Sequence, residues 1–212
     1  METDKAMTHP VSVIVPHKRS REEFFRRFCL PSIAANCPEQ IIIEANDGLD
    51  PQDAAKYRNA GVQKATQPFL FFCDDDAIMG VDCIGKMLVA LNENIAAAYA
   101  YSNFLQITMP GIPRSMREIV QLHEPGPFDP MRLKRYNYIH TMSLIRRETF
   151  PGFDEQLARF QDWDLWLTIL RLGHGGIHVN ETLYQLFYTE AGITSMQDPT
   201  EFMKIVQRKH GI

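Results

Sequence analysis

The sequence predicts an α/β protein: a mostly parallel sheet with helices on both faces. Three observations predict it. Short β-branched or aromatic runs recur at Val11–Val15, Ile41–Ile43 and Phe69–Phe72. Segments with helical spacing separate them. Each run leads into a polar cluster: His17-Lys18-Arg19, Asn46-Asp47 and Asp74-Asp75-Asp76. Strands alternating with helices build a parallel sheet, and such sheets hold ligands beyond the carboxyl ends of their strands.

Each element has its own warrant. Residues 1–10 are a polar lead-in without the apolar centre of a signal peptide. Val11–Val15 reads as a buried strand stopped by Pro16. From Glu22 to Asn36 the apolar positions Phe24, Phe25, Phe28, Leu30 and Ile33 describe a helix, which Pro31 must kink or divide. Ile41–Ile43 is a second strand, followed by the turn signature Asn46-Asp47-Gly48. Helices are expected over Asp53–Lys64 and Val81–Asn94, with strands at Phe69–Phe72 and Ala96–Tyr101. The stretch Met109–Pro130 holds five of the 13 prolines and reads as a loop over the site. Asn137–Ile145 reads as a strand and Asp162–Leu172 as a helix with an acidic start. Short strands near Ile177–Val179 and Leu183–Tyr188 and a helix over Thr200–Lys209 complete the prediction.

Composition narrows the function. At roughly 150 residues per domain, 212 residues make one large domain. A net charge of −4 argues against non-specific duplex binding, which needs a basic face, so no nucleic-acid partner is expected. Cys29, Cys37, Cys73 and Cys83 have neither zinc spacing nor a need for bridges in a chain this long, and reduced thiols in a cytoplasmic protein are expected. The longest apolar run, Ile95–Tyr101, is far short of a bilayer span, so membrane contact is at most peripheral, as at the inner membrane face.

The chemistry gathers at acidic residues. Three adjacent carboxylates, Asp74 to Asp76, repel one another, and a hard divalent cation supplies the missing charge through oxygen ligands. In Asp162-Trp163-Asp164, capping accounts for one acid and leaves the other free to act as a base. Asp47, after Asn46, suits a ribose hydroxyl or base edge, or simply a turn. Arg58 can reach a phosphate from its helix. His140, His174 and His178 are scattered.

These residues resemble family 2 glycosyltransferases of GT-A fold. The likeness lies in the order Val11-Ser-Val-Ile-Val-Pro16, Ile41-Ile-Ile-Glu-Ala-Asn-Asp-Gly48, Arg58-Asn-Ala-Gly61 and Phe71-Phe-Cys-Asp-Asp-Asp76. It continues through Ser143-Leu-Ile-Arg-Arg-Glu-Thr-Phe150, Gly152-Phe-Asp-Glu155 and Gln161-Asp-Trp-Asp-Leu-Trp-Leu167. It runs from about Val11 to Ser195. The resemblance implies one domain over 11–212, with a nucleotide-binding half (11–102) and an acceptor and catalytic-base half (103–212). It implies a nucleotide-sugar donor, UDP-linked, held by Pro16, His17, Arg19, Asn46, Asp47, Arg58, Asp74 and Asp75. Asp47 meets the nucleobase, and Asp74, Asp75 and Asp76 form the DXD element that holds Mn²⁺ or Mg²⁺ against the diphosphate. Asp162 is the general base, the reaction inverts, and the acceptor is a saccharide or glycolipid of polysaccharide biosynthesis.

The chain departs from the family's pattern at Gln161 (usually Glu), at Asn46 and Leu49 in the turn, and at Glu190, where a His is common. A processive signature is absent, which favours single-sugar transfer. Two other readings stand beside this one. One is a non-catalytic module that binds nucleotide-sugars. The other is a phosphatase with Asp74 as nucleophile, since Asp74-Asp-Asp76-Ala-Ile78 nearly fits DxDx(T/V).

Overall fold

A computed structural model of the protein describes residues 8–46, 54–108, 119–188 and 199–212. Strand β1 (His9–Lys18) lies between β2 (Pro38–Asn46) and β3 (Phe69–Phe72) and is parallel to both. It is buried on both faces, which is why it reads as a continuous apolar run. Val11, Val13 and Val15 join one core cluster with Phe25, Ile33 and Met87, and Ile14 joins the other with Leu70, Phe72 and Ala55. Pro16 does not stop the strand. The Ile14 carbonyl accepts from Cys73 N–H, so even-numbered residues of β1 face β3. That pairing ends at Ile14, and the N–H that Pro16 lacks is missed by no neighbour.

The connection after β1 is one 3₁₀ turn, Arg19–Arg21, then α1 (Glu22–Phe24), a π-helical turn over Phe25–Cys29, and α2 (Leu30–Ala35). Leu30 N–H bonds to the Phe25 carbonyl, five residues back. Pro31 has no N–H for the turn before it, and widening that turn carries the helix past the proline without a break.

The rest follows as α3 (Ala54–Lys64), β4 (Ala77–Met79), α4 (Cys83–Glu93), β5 (Ala97–Thr108), β6 (Ile119–His123), α5 (Pro130–Arg135), β7 (Leu144–Arg146), α6 (Gln161–Arg171), β8 (Gly175–Tyr188) and α7 (Pro199–His210). The sheet order is β2-β1-β3-β7-β5-β8-β4, with β6 beside β5. The β5–β8 pair is parallel, whereas β7 runs antiparallel to both β3 and β5, and so joins the two halves. One core cluster sits under α2 and α4. The other sits under α3, α6 and α7, where Trp163 and Trp166 are buried.

Two predicted strands come out differently. Of the expected Asn137–Ile145 strand only Leu144 and Ile145 belong to a strand, β7, which runs on to Arg146. Upstream, the Ser143 hydroxyl donates to the His140 carbonyl and Ser143 N–H to the Thr141 carbonyl, curling the backbone into a turn. The two short strands expected between Ile177 and Tyr188 are one strand, β8, whose register against β5 slips at Ser102/Asn103. No cysteines are bridged among the described residues, and no helix there is long and apolar enough to cross a membrane. The expected loop Met109–Pro130 falls partly outside the described residues, and its described end contains β6.

Candidate active site

The carboxyl ends of β1 and β3 bring the basic loop against the acidic triplet. Asp75 is buried, and both its oxygens are engaged: Lys18 N–H donates to Oδ2 at 2.7 Å, His17 Nδ1 lies 3.1 Å from Oδ2, and Arg21 Nη1 donates to Oδ1 at 2.6 Å. His17 Nε2 lies 2.6 Å from Glu22 Oε2, and its ring stacks on Phe25. Asp75 therefore ties the β1 loop to the end of β3. Arg21 also reaches Asp76 Oδ2 at 2.8 Å. Arg19, expected in the site, is on the outer surface of the loop, and Arg21 makes the contact instead. Pro16 lies half-buried at the mouth of the same loop.

Asp74 faces the other way. Arg58 donates through Nη2 to its Oδ1 at 2.7 Å and through Nη1 to Gln161 Oε1 at 2.9 Å. Arg58 reaches the site because α3 lies close on β1. A Cβ on Gly61, one turn along, would come within 2.4 Å of Ile14 Cγ2, so the glycine permits that approach. Gln161 also donates through Nε2 to the Leu157 carbonyl at 2.6 Å. An amide can accept from Arg58 and donate to Leu157 at once, which an ionised carboxylate cannot. That accounts for glutamine at this position.

The start of α6 sets out the remaining acids. Phe160 caps it at φ 59°, a left-handed conformation rare for a bulky residue. Asp164 is buried and bonded to Lys209 at 2.9 Å and to His210 at 2.8 Å. Asp162 is half-buried, accepts from Trp163 N–H, and has no cationic partner among the described residues. His140 feels both Asp74 and Asp162. Met142 N–H donates to its Nδ1 at 3.2 Å, so Nε2 carries the proton of the neutral ring and lies 3.8 Å from Asp74 Oδ2. Phe104 and Tyr184 flank the ring.

The charges are unequal. Burial works against ionisation of Asp74, but Arg58 and then His140 outweigh it and hold the carboxyl below its ordinary range. Asp76 is pushed up to about 7, chiefly by burial; Arg21 opposes this, and Asp74 and Asp75 add to it. Burial pushes His140 below the ordinary imidazole value, against the pull of Asp74 and Asp162.

Three carboxylates facing two guanidinium groups leave excess negative charge at Asp76, which suits a divalent cation. Among the described residues no three His, Cys, Asp or Glu side chains surround a common point. A cation there would have only Asp76 and Asp74 as carboxylate ligands and would need its others from phosphate oxygens and water, as Mg²⁺ does in phosphate sites.

Asn46 ends β2, and Asp47 and Glu190 lie outside the described residues. Sequence reasoning missed His140 and Arg21. The signal for Arg21 was its basic loop. His140 offered none, because its place depends on contacts with Phe104 and Tyr184, far off in the chain.

The sheet order, with its parallel strands ending at a carboxylate-lined corner, is that of a GT-A type α/β fold. The model of glycosyl transferase family 2 matches residues 50–151, from the approach to α3 to the segment after β7, just under half of the chain. No curated relative matches in sequence. Among solved structures, the chain resembles Staphylococcus aureus TarS residues 1–349 in complex with UDP. The TM-score is 0.65 at 14% identity, over 96% of this chain and 65% of that one. It also resembles TarS 1–349 in complex with UDP-GlcNAc, with a TM-score of 0.60 at 15% identity and the same coverage. At this identity the likeness shows the fold, and the chain spans about two thirds of the TarS piece it matches.

Proposed function

We propose that the protein transfers a single sugar from a UDP-linked donor to a hydroxyl of a saccharide or glycolipid acceptor, with inversion. The observation that carries this reading is Asp162. It is a half-buried carboxylate with no cationic partner among the described residues, and it acts on His140 as Asp74 of the Arg58–Asp74 pair does. The complexes of the fold neighbour TarS with UDP and UDP-GlcNAc support a uridine donor.

In this mechanism Asp162 accepts the proton of the acceptor hydroxyl as its oxygen bonds to the anomeric carbon. The bond from that carbon to the diphosphate breaks on the opposite face, its electron pair stays with the diphosphate oxygen, and UDP leaves. Arg58 and Arg21 stabilise the charge gathering on the leaving group, and His140 Nε2–H is a third donor on that side. Asp76, with Asp74 beside it, would hold Mn²⁺ or Mg²⁺, which when bound neutralises diphosphate charge. Asp75 orders the loop that presents Arg21, and Asn46 and Asp47 receive the nucleoside.

The test is Asp162→Asn. Donor affinity by calorimetry should hold while turnover falls by about 10²–10⁴-fold, the usual cost of removing a general base. Normal turnover would refute the base assignment. UDP binding without transfer to any acceptor by the unaltered protein would establish the binding-module reading instead.

A further inference from the structure

We propose that the end of the molecule formed by α5, the last turn of α6 and the end of α7 docks on an anionic lipid bilayer. The inference is independent of the transferase reading. A cavity of about 280 Å³ opens there, with apolar walls from Pro130, Leu167, Leu170 and Ile212 and cations from Lys134 and Arg171. His210 completes the lining, and no Asp or Glu side chain is part of it.

Helical spacing extends the pattern outward. Pro130 and Lys134 share one stripe of α5, and Met131 and Arg135 form the next. Arg208 lies in the last turn of α7, just before the chain turns at Gly211 to Ile212. Lys134, Arg135, Arg171 and Arg208 are exposed, and none has an acidic partner among the described residues. Interleaved with them, Met131 is 59%, Leu172 57% and Tyr136 51% exposed.

In a chain of net charge −4, the segments that line this opening carry cations without an acidic partner among the described residues, together with large exposed apolar side chains. Cations alone would mark a soluble anion, and apolar groups alone would mark another protein surface. The combination matches a headgroup layer, where basic side chains meet lipid phosphates and apolar ones enter the acyl boundary. It also agrees with a hydroxyl acceptor presented at a membrane.

The test uses the whole chain and sedimentation with phosphatidylglycerol/phosphatidylcholine vesicles, without donor. Binding should exceed that to pure phosphatidylcholine by at least about tenfold, and ~0.5 M NaCl should release it. The triple variant K134E/R171E/R208E should lose about tenfold or more, whereas Asp162→Asn should bind as the parent does. Should the triple variant not fold, Arg171→Gln and Leu172→Ser, each weakening binding, replace it. The proposal is overturned by no binding to anionic vesicles, by equal binding to neutral ones, or by charge-reversed protein that still binds. It is also overturned if phosphate releases the protein better than chloride at equal ionic strength, or if the face mediates a dimer that the triple variant dissolves without lipid. Vesicle binding with no transferase activity would sink the catalytic reading and leave this one standing.

Discussion

Asp162 and Asp164 stand two residues apart at the start of α6 and meet opposite surroundings. Asp164 is held by α7, through Lys209 and His210, whereas Asp162 accepts only from Trp163 N–H, acts electrostatically on His140 and has no cationic partner among the described residues. Either could have been the base. The difference teaches that an acid's role is set by what the fold brings against it. Here a helix some 45 residues further along the chain engages one carboxylate and leaves the other, the proposed base, without a cationic partner among the described residues.

The largest effects should separate the pair. Beside the loss of turnover expected for Asp162→Asn, Asp164→Ala should destabilise the protein by about 2–3 kcal/mol, because it leaves the His210 side chain, and the partly solvated Lys209, without their carboxylate. Urea unfolding would register that drop for Asp164→Ala and almost none for Asp162→Asn. Activity per folded molecule should survive in the former. If Asp164→Ala proved stable and inactive, the two roles would have to be exchanged.

A smaller effect probes the support on the Asp162 side. Gly61→Ala sets a methyl against Ile14 and forces α3 off β1. Overpacking of this kind costs about 1–3 kcal/mol. The shift should carry Arg58 away from Asp74 and Gln161, so donor affinity should weaken along with the melting temperature. A variant equally stable and equally tight for UDP would show that the close approach does not position Arg58.

Much of this was legible in the sequence, and for physical reasons. β1 and β3 are buried on both faces, so their apolar runs stand out, and the acidic triplet at the end of β3 has no reason to exist as a mere turn. The resemblance pointed to Arg58, which the fold brings against Asp74, and to Asp162, which lies beyond the stretch 50–151 that the family model matches. Long-range contacts were not legible. Asp162 and Asp164 look alike until α7 is folded against α6. His140 lies in a stretch whose apolar alternation reads as strand, yet two local hydrogen bonds from Ser143 turn the backbone there. Arg21 and Arg19 are equally basic, and only the 3₁₀ turn decides which of them meets Asp75 and Asp76.

The smallest expected effect lies at the outer edge of the structural site and shows in the acid limb of stability. Lys209 bridges Asp164 to Asp154, 2.6 Å away on its other side. Burial works against the Asp154 carboxylate, but the hydrogen bond from Lys209 outweighs it and holds the carboxyl below its ordinary range. A depressed carboxyl stabilises the folded state fully above its unfolded pKa, near 4, and that stability is lost as pH falls through the lower folded value. Lys209 has the opposite sign. Its raised pKa contributes below the ordinary lysine value and fades only in strong alkali. Between those limits the pair is indifferent to pH. Asp154→Asn should therefore flatten the fall in urea midpoint below about pH 4 while changing stability near pH 7 by well under 1 kcal/mol, since both groups are partly solvated. An acid limb identical to that of the parent would mean that Lys209 serves Asp164 alone, which would make the enclosure of that carboxylate by α7 simpler than drawn.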